Sequence, residues 1–276
     1  MSIAVEPPSQ SPSRFSIASA DAYERGVGSW SRALAPRFVA FCEPVAGRVL
    51  DVGCGTGILT ERLLAREDVA AVAGIDVNAD LLAHARQRIR DPRATFGIAD
   101  AARLPFAAAA FDHALMLLVV NFVSDRIGAV REARRVVRPG GTVAATIWDF
   151  RGGFMYSRFA WDVAAARDPA AAAGRDALLR SPFMRPGSLA ALWREAGLTS
   201  VREDSLAIEI AFDRFDHYWQ TVIGSGQTFA QYFAKLAPNA QDALRDAVRA
   251  TYLVGDDDGP RSWATRAFAV AGRAPG

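Results

Sequence analysis

Lysine is nearly missing from this sequence: Lys235 is the only one among 32 basic residues, and the others are arginines. Arginine richness beside abundant alanine reads as codon bias, and the formal net charge is only +2, so no phosphate-tracking basic surface is implied. Nucleic acid is therefore not an expected partner. Cysteine is equally scarce. Cys42 and Cys54 cannot build a disulfide framework, and His84, His113 and His217 occur singly, without metal-ligand spacing. A reducing cytoplasm and no metal are expected. Long apolar runs are also lacking: the longest, Ala114 to Val120, has seven residues, where a membrane span needs about 20. Met1 to Arg14 has no basic segment leading into an apolar stretch, so a frayed tail over residues 1–20 is expected rather than a secretory signal.

What is present is ample apolar material, 51% hydrophobic against 22% charged residues over 276 positions. That composition fits one large α/β domain with a smaller cap. From Arg48 to Ile147 short apolar blocks alternate with helical periodicity, the pattern of βα units around a doubly wound, mostly parallel sheet. Strands are predicted over Arg48 to Val52, Ala70 to Ile75, Ala94 to Ile98, Ala114 to Val120 and Thr142 to Ile147. Helices are predicted over Ile58 to Ala65, over Ala79 to Arg90 with Asn78 as N-cap, and over Asp125 to Val137. After Trp148 the regularity weakens, and residues 148–187 read as an inserted helical cap. Residues 21–147 then hold the leading helices and the α/β core. Residues 188–276 return to the sheet, with a helix over Ser188 to Ala196, alternation at Leu206, Ile208 and Ile210, and a last strand over Trp263 to Val270.

The most informative stretch runs from Arg48 through Asp51-Val52-Gly53-Cys54-Gly55-Thr56-Gly57, a strand entering three glycines at alternate positions and then a helix. Glycines let the chain turn sharply and approach a ligand, and the helix start offers free N–H groups. A dinucleotide fingerprint would place its third glycine at position 58, where this chain has Ile58, which counts against NAD. Nineteen residues beyond Gly57, Asp76 closes the second strand in Gly74-Ile75-Asp76-Val77. A carboxylate there lies beside the switch-point crevice and can accept two ribose hydroxyls. As a strand-end loop residue, Asp76 is expected to matter for ligand affinity and little for folding.

Five ordered stretches carry a resemblance: Val49 to Gly57, Gly74-Ile75-Asp76, Asp100 to Phe106, Phe111-Asp112, and Arg135-Val136-Val137-Arg138-Pro139-Gly140-Gly141. Together they resemble the class I methyltransferases that use S-adenosylmethionine, in particular the small-molecule group related to quinone-biosynthesis enzymes. The resemblance implies a Rossmann-like fold and a set of roles. Asp51, Gly53 and Gly55 would hold the methionine part of the cofactor, Asp76 and Val77 the ribose and adenine, Asp100 and Ala101 the adenine amino group, and Leu117 a backbone contact. Tyr23, in a leading helix like the family's, would face the sulfonium or simply pack; Trp30 is read as packing.

Between Trp148 and Phe233 fall 15 aromatic residues. Phe154, Tyr156, Phe159, Trp161, Phe183, Phe215, Tyr218 and Trp219 are expected to roof a pocket, with helix packing on the sheet as the plain alternative. His217, the one histidine of that region, is the weak candidate for a base, against the commoner surface role. The expected reaction moves a methyl group to an O, N or C atom of a small apolar or aromatic acceptor. The implied partners are that acceptor and S-adenosylmethionine, with a homodimer allowed. A nicotinamide oxidoreductase and a non-catalytic cofactor-binding module stand as alternatives, because fold alone does not separate them.

Overall fold

The computed structural model describes residues 28–180, 183, 185–224 and 228–276. Val49, Leu50 and Val52 are wholly buried, as a strand covered on both faces requires, and they form β1 (Gly47–Val52) at the centre of the sheet. Around it stand β2 (Val69–Asp76), β3 (Ala94–Ile98), β4 (Phe111–Leu117), β5 (Val137–Trp148), β6 (Thr199–Phe212) and β7 (Arg261–Arg273). The order is β3-β2-β1-β4-β5-β7-β6, parallel throughout except for β7, which runs antiparallel to both neighbours. The chain reverses its winding between β1 and β4, so a crevice opens at their carboxyl ends.

Two helices of the α/β core begin where polar side chains satisfy their first N–H groups. Asn78 starts α3 (Ala79–Arg88) by accepting from the N–H of Asp80 and Leu81, and Asp125 starts α4 (Arg126–Val136) by accepting from Gly128. Such caps contribute about 1 kcal/mol each. Ahead of them lie α1 (Ser29–Cys42) and α2 (Ile58–Leu64), and after β5 come α5 (Met155–Ala165), α6 (Pro169–Leu179) and α7 (Ser188–Glu195). The elements α8 (Phe215–Gly224), α9 (Thr228–Phe233) and α10 (Pro238–Leu253) fill the stretch between β6 and β7.

Four strand expectations are corrected in extent, β5 reaching from Val137 to Trp148 rather than Thr142 to Ile147. β4 ends at Leu117 rather than Val120, because Leu118 takes a left-handed backbone, φ 64°, and leaves the sheet at the switch point. β6 and β7 are far longer than the alternation showed. Their pairing continues to Phe212↔Arg261, whereas β5 stops pairing with β7 at Trp148↔Ala267, so the end of this antiparallel pair overhangs the sheet. Ile208, Ile210 and Phe212 point one way from that overhang and are buried, while Ala207, Glu209 and Ala211 are exposed.

Helices α5, α8 and α10 pack on this overhang and make an aromatic core. Phe154, Tyr156, Trp161, Phe215, Tyr218 and Trp219 are each at most 2% exposed. Phe215 stacks on Trp219 at 5.9 Å, Trp161 meets Phe229 edge-on at 5.1 Å, and Trp30 of α1 sits 4.3 Å from Tyr156. These rings are the interior of the cap and not the roof of a pocket, since rings that bury one another leave no face for a ligand. Phe159 is half-buried against the same core, and Phe183 lies in a different cluster under Arg126. Helix α1 joins two cores: Trp30 and Leu34 belong to the cap, Ala35, Phe38 and Val39 to the sheet.

Candidate functional site

At the carboxyl end of β1 the chain turns through Gly53, Gly55 and Gly57, all with positive φ. Gly53 has two reasons to lack a side chain. Its φ is +69°, and a Cβ would stand 2.5 Å from Cγ2 of Val119, in the loop that follows β4. The glycine loop and the β4 loop are therefore in contact across the switch point. The loop is tied to β2 by Cys54, whose N–H donates to the Ile75 carbonyl at 2.9 Å, and by Gly55, whose N–H donates to Asp76 Oδ2 at 2.9 Å.

Asp51 lies at the floor of this loop, 1% exposed. Thr60, one turn into α2, donates its hydroxyl to Asp51 Oδ2 at 2.6 Å, but Oδ1 is buried with no hydrogen-bond partner. Burial raises the Asp51 carboxyl from an ordinary 3.8 to about 7, against the lowering bond from Thr60. A buried carboxylate oxygen without a donor is costly, and it provides a place for a cationic or N–H-bearing group. Asp51 lines a small cleft together with Ser31, Gly53, Thr56, Leu59 and Leu117. Beside it, burial pushes the Cys54 thiol well above its usual range, so this sulfur is not a nucleophile.

Asp76 is more than a solvated loop residue. Its Oδ2 takes the Gly55 N–H and its Oδ1 the Asn78 N–H at 2.9 Å, so it fixes both the glycine loop and the entry to α3. Burial raises its carboxyl, and the N–H bonds from Asn78, Gly55 and Val77 pull it back down. The expectation that folding would be indifferent to Asp76 is thus corrected. Asp76 pairs in register with Ile98, which places Asp100 at the end of the neighbouring strand, with Oδ1 accepting from the Ala102 N–H at 2.9 Å. Ala101 beside it is buried, and Val77 is 53% exposed.

The structure thus brings Asp51, Gly53 and Leu117 to one cleft, with Gly55 and Asp76 tied to its rim and Val77, Asp100 and Ala101 farther along the same edge. His217 is not brought there. It lies on α8 beyond the far end of β6, 48% exposed, with Nδ1 3.4 Å from Asp213. Tyr23 lies outside the described residues. Reading the sequence alone missed Ser31, Thr60 and the left-handed Leu118. Of these only Thr60 left a signal, nine residues after Asp51 and one turn into the helix that the glycines start. Leu118 is held by its N–H, which donates to the Thr146 carbonyl at 3.1 Å and to the Thr146 hydroxyl at 3.2 Å. No helix among the described residues is long and apolar enough to cross a membrane.

Residues 50–145 match the family model of the methyltransferase domain. Over 101 residues the chain is 41% identical to the methyltransferase GfsG of Streptomyces halstedii, covering 35% of this chain and 36% of that protein. It is 39% identical over 101 residues to the demethylmenaquinone methyltransferase of Roseiflexus sp. (strain RS-1), covering 37% of this chain and 42% of that one. The match therefore spans less than half the length of either relative. Among solved structures, phosphoethanolamine N-methyltransferase 2 of Haemonchus contortus shares the fold, with a TM-score of 0.55 and 18% identity over 93% of this chain and 57% of that one.

Proposed function

We propose that this chain, which carries a class I S-adenosylmethionine-dependent methyltransferase domain, moves a methyl group to a small acceptor. The observation that carries this reading is the unpartnered Oδ1 of Asp51, buried under the glycine loop at the switch point. A Rossmann pyrophosphate site has no use for a buried anion there, whereas the ammonium of a methionine moiety is the complementary charge. Asp51, with Gly53 and Gly55, would hold that moiety. Asp76 would add the ribose hydroxyls to its backbone bonds, Val77, Asp100 and Ala101 would meet the adenine, and Leu117 would lend a backbone contact.

S-adenosylmethionine supplies a methyl group already activated on a sulfonium. What remains for the protein is alignment and exclusion of water, and effective molarity alone is worth up to about 7–11 kcal/mol. Ser31 of α1 and Leu117 of β4 both line the cleft, and the acceptor would approach from the β4 and β5 ends. The nucleophile attacks the methyl carbon as the carbon–sulfur bond breaks, a neutral thioether leaves, and the positive charge that passes to the acceptor is released as its X–H proton to water. No side chain need carry that charge, and the cleft lining among the described residues includes no histidine. We take the acceptor to be apolar. The exposed apolar side chains Val77, Phe122 and Met155 follow β2, β4 and β5 along this same edge, and the Roseiflexus relative is named for a quinone substrate. We place the reaction in the cytoplasm.

Parallel calorimetric titration with S-adenosylhomocysteine and NADH tests the reading. Binding of adenosylhomocysteine without NADH is the expected result. NADH binding in the absence of adenosylhomocysteine binding would replace the methyltransferase by an oxidoreductase.

A further inference from the structure

The loop from Leu118 to Ser124 lies between the two parts of the molecule that a methyl transfer must join. Val119 covers Gly53 of the cofactor-side loop, and Leu118 packs against the aromatic core of the cap. Leu117, one residue earlier, lines the cleft. The loop is fixed rather than loose. Leu118 is strained into left-handed backbone and pinned on Thr146, while Arg126 reaches back to the Val120 carbonyl at 3.3 Å and the Asn121 carbonyl at 3.5 Å. Within this held loop the Asn121 side chain has its Oδ1 shielded from solvent and without a hydrogen-bond partner.

Buried polar atoms are nearly always paired, so an amide oxygen left open in a rigid loop calls for a partner from outside the chain. Phe122, next in sequence, is 39% exposed, and Met155, 38% exposed, opens α5 after β5. We infer that Asn121 is the specificity-determining residue for the acceptor, its carboxamide oxygen accepting the O–H or N–H of an otherwise apolar, uncharged molecule. This rests on the methyltransferase reading. A carboxamide does not take up a proton, so it orients the nucleophile's X–H group without acting as a base. A neutral acceptor oxygen in apolar surroundings also discriminates against a carboxylate, which would bring no donor and an unpaired charge.

The test uses the full chain saturated with S-adenosylhomocysteine and two probes that differ by one donor, 2-naphthol and 2-methoxynaphthalene. Calorimetry should find 2-naphthol at least about tenfold tighter on the parent chain, the size of one neutral hydrogen bond. Asn121→Leu, which keeps the volume and removes the acceptor oxygen, should bring the two probes within twofold of each other, with adenosylhomocysteine affinity unchanged within twofold. Asn121→Ala repeats the measurement if the leucine variant does not fold. Equal binding of the probes to the parent, absence of naphthol binding, or a preference that survives in the variants overturns the inference alone. Loss of adenosylhomocysteine binding by the parent removes the inference together with the methyltransferase reading.

Discussion

The edge of the sheet around β1 and the cap above it bury equally demanding side chains in opposite ways. At the edge, Asp51 is 1% exposed with one oxygen unpartnered, and the backbone around it runs through three left-handed glycines. In the cap, the wholly buried groups are rings that face one another, and the Tyr218 hydroxyl donates a hydrogen bond to the Tyr156 carbonyl at 2.9 Å. The cost at the edge lies on the cleft, where a ligand can relieve it, whereas the cap's own unpartnered atoms, Trp148 Nε1, Trp161 Nε1 and the Tyr252 hydroxyl, are sealed among rings. Substitutions in the cap should therefore appear in folding, and substitutions at the edge in binding.

The largest effect should come from the cap. Trp161, 2% exposed and enclosed by Phe229, Tyr232 and Gly174, should lose about 3–5 kcal/mol of stability as Trp161→Ala. Denaturant unfolding measures it, and the folded fraction should still bind adenosylhomocysteine within twofold of the parent. A stability change below about 1 kcal/mol would mean that the rings are not a core.

Asp76 blurs the division, because it serves both. Asp76→Ala strands the N–H groups of Gly55 and Asn78, so stability should fall by about 1–3 kcal/mol and adenosylhomocysteine affinity by about ten- to a hundredfold. Unfolding and titration of the same preparation would reveal either loss without the other.

Gly53→Ala sharpens the comparison from the edge. The left-handed conformation costs a non-glycine residue about 1–2 kcal/mol, and the new methyl group must also displace Val119. Adenosylhomocysteine affinity should drop at least about tenfold by calorimetry, from a change of one methyl group. Parental affinity in Gly53→Ala would show that the loop does not approach the ligand.

The smallest effect belongs to His217. Being exposed, and its imidazole meeting only Asp213 and the edge of the Phe212 ring among the described residues, it should change stability by less than about 0.5 kcal/mol as His217→Ala, with turnover within twofold. Loss of turnover with intact adenosylhomocysteine binding would make it the base that the geometry does not support.

The two regions also differed in how much of them could be read beforehand. The strands β1 to β3, the glycine turn and the capping residue Asn78 were legible because buried parallel strands, positive-φ turns and N-caps each impose a residue type locally. Leu118 was not, since a Leu-Leu-Val-Val run looks like continued strand and only the switch point makes the chain leave the sheet there. Nor was the overhang of β6 and β7. Its exposed face carries Glu209 between alanines and gives a weak alternation, and its partner strand lies some fifty residues away beyond three helices. The aromatic residues were visible, but composition does not tell whether rings face each other or a void. Asp51 was expected to touch the ligand from its place before the glycines. That Thr60 would satisfy one oxygen and leave the other open depends on the packing of α2, which no local pattern encodes.

That open oxygen is the centre of the account, and its titration tests it. With its carboxyl raised from 3.8 to about 7 by burial, folded Asp51 keeps a proton between about pH 4 and 7 that the unfolded chain has released. The folded state therefore loses stability, relative to Asp51→Asn, as pH rises through that window, and the difference is constant above it. The ammonium of the ligand's amino acid end pairs with the ionised form, so its binding should show the opposite trend. Titrating adenosylhomocysteine into the parent chain at pH 6, 7 and 8 should show affinity rising toward pH 8, by up to about tenfold per unit below 7. Asp51→Asn should bind more weakly at pH 8 and show no such rise. Equal affinity of parent and variant at all three pH values would contradict the account, because the buried carboxylate would then not be what holds the ligand.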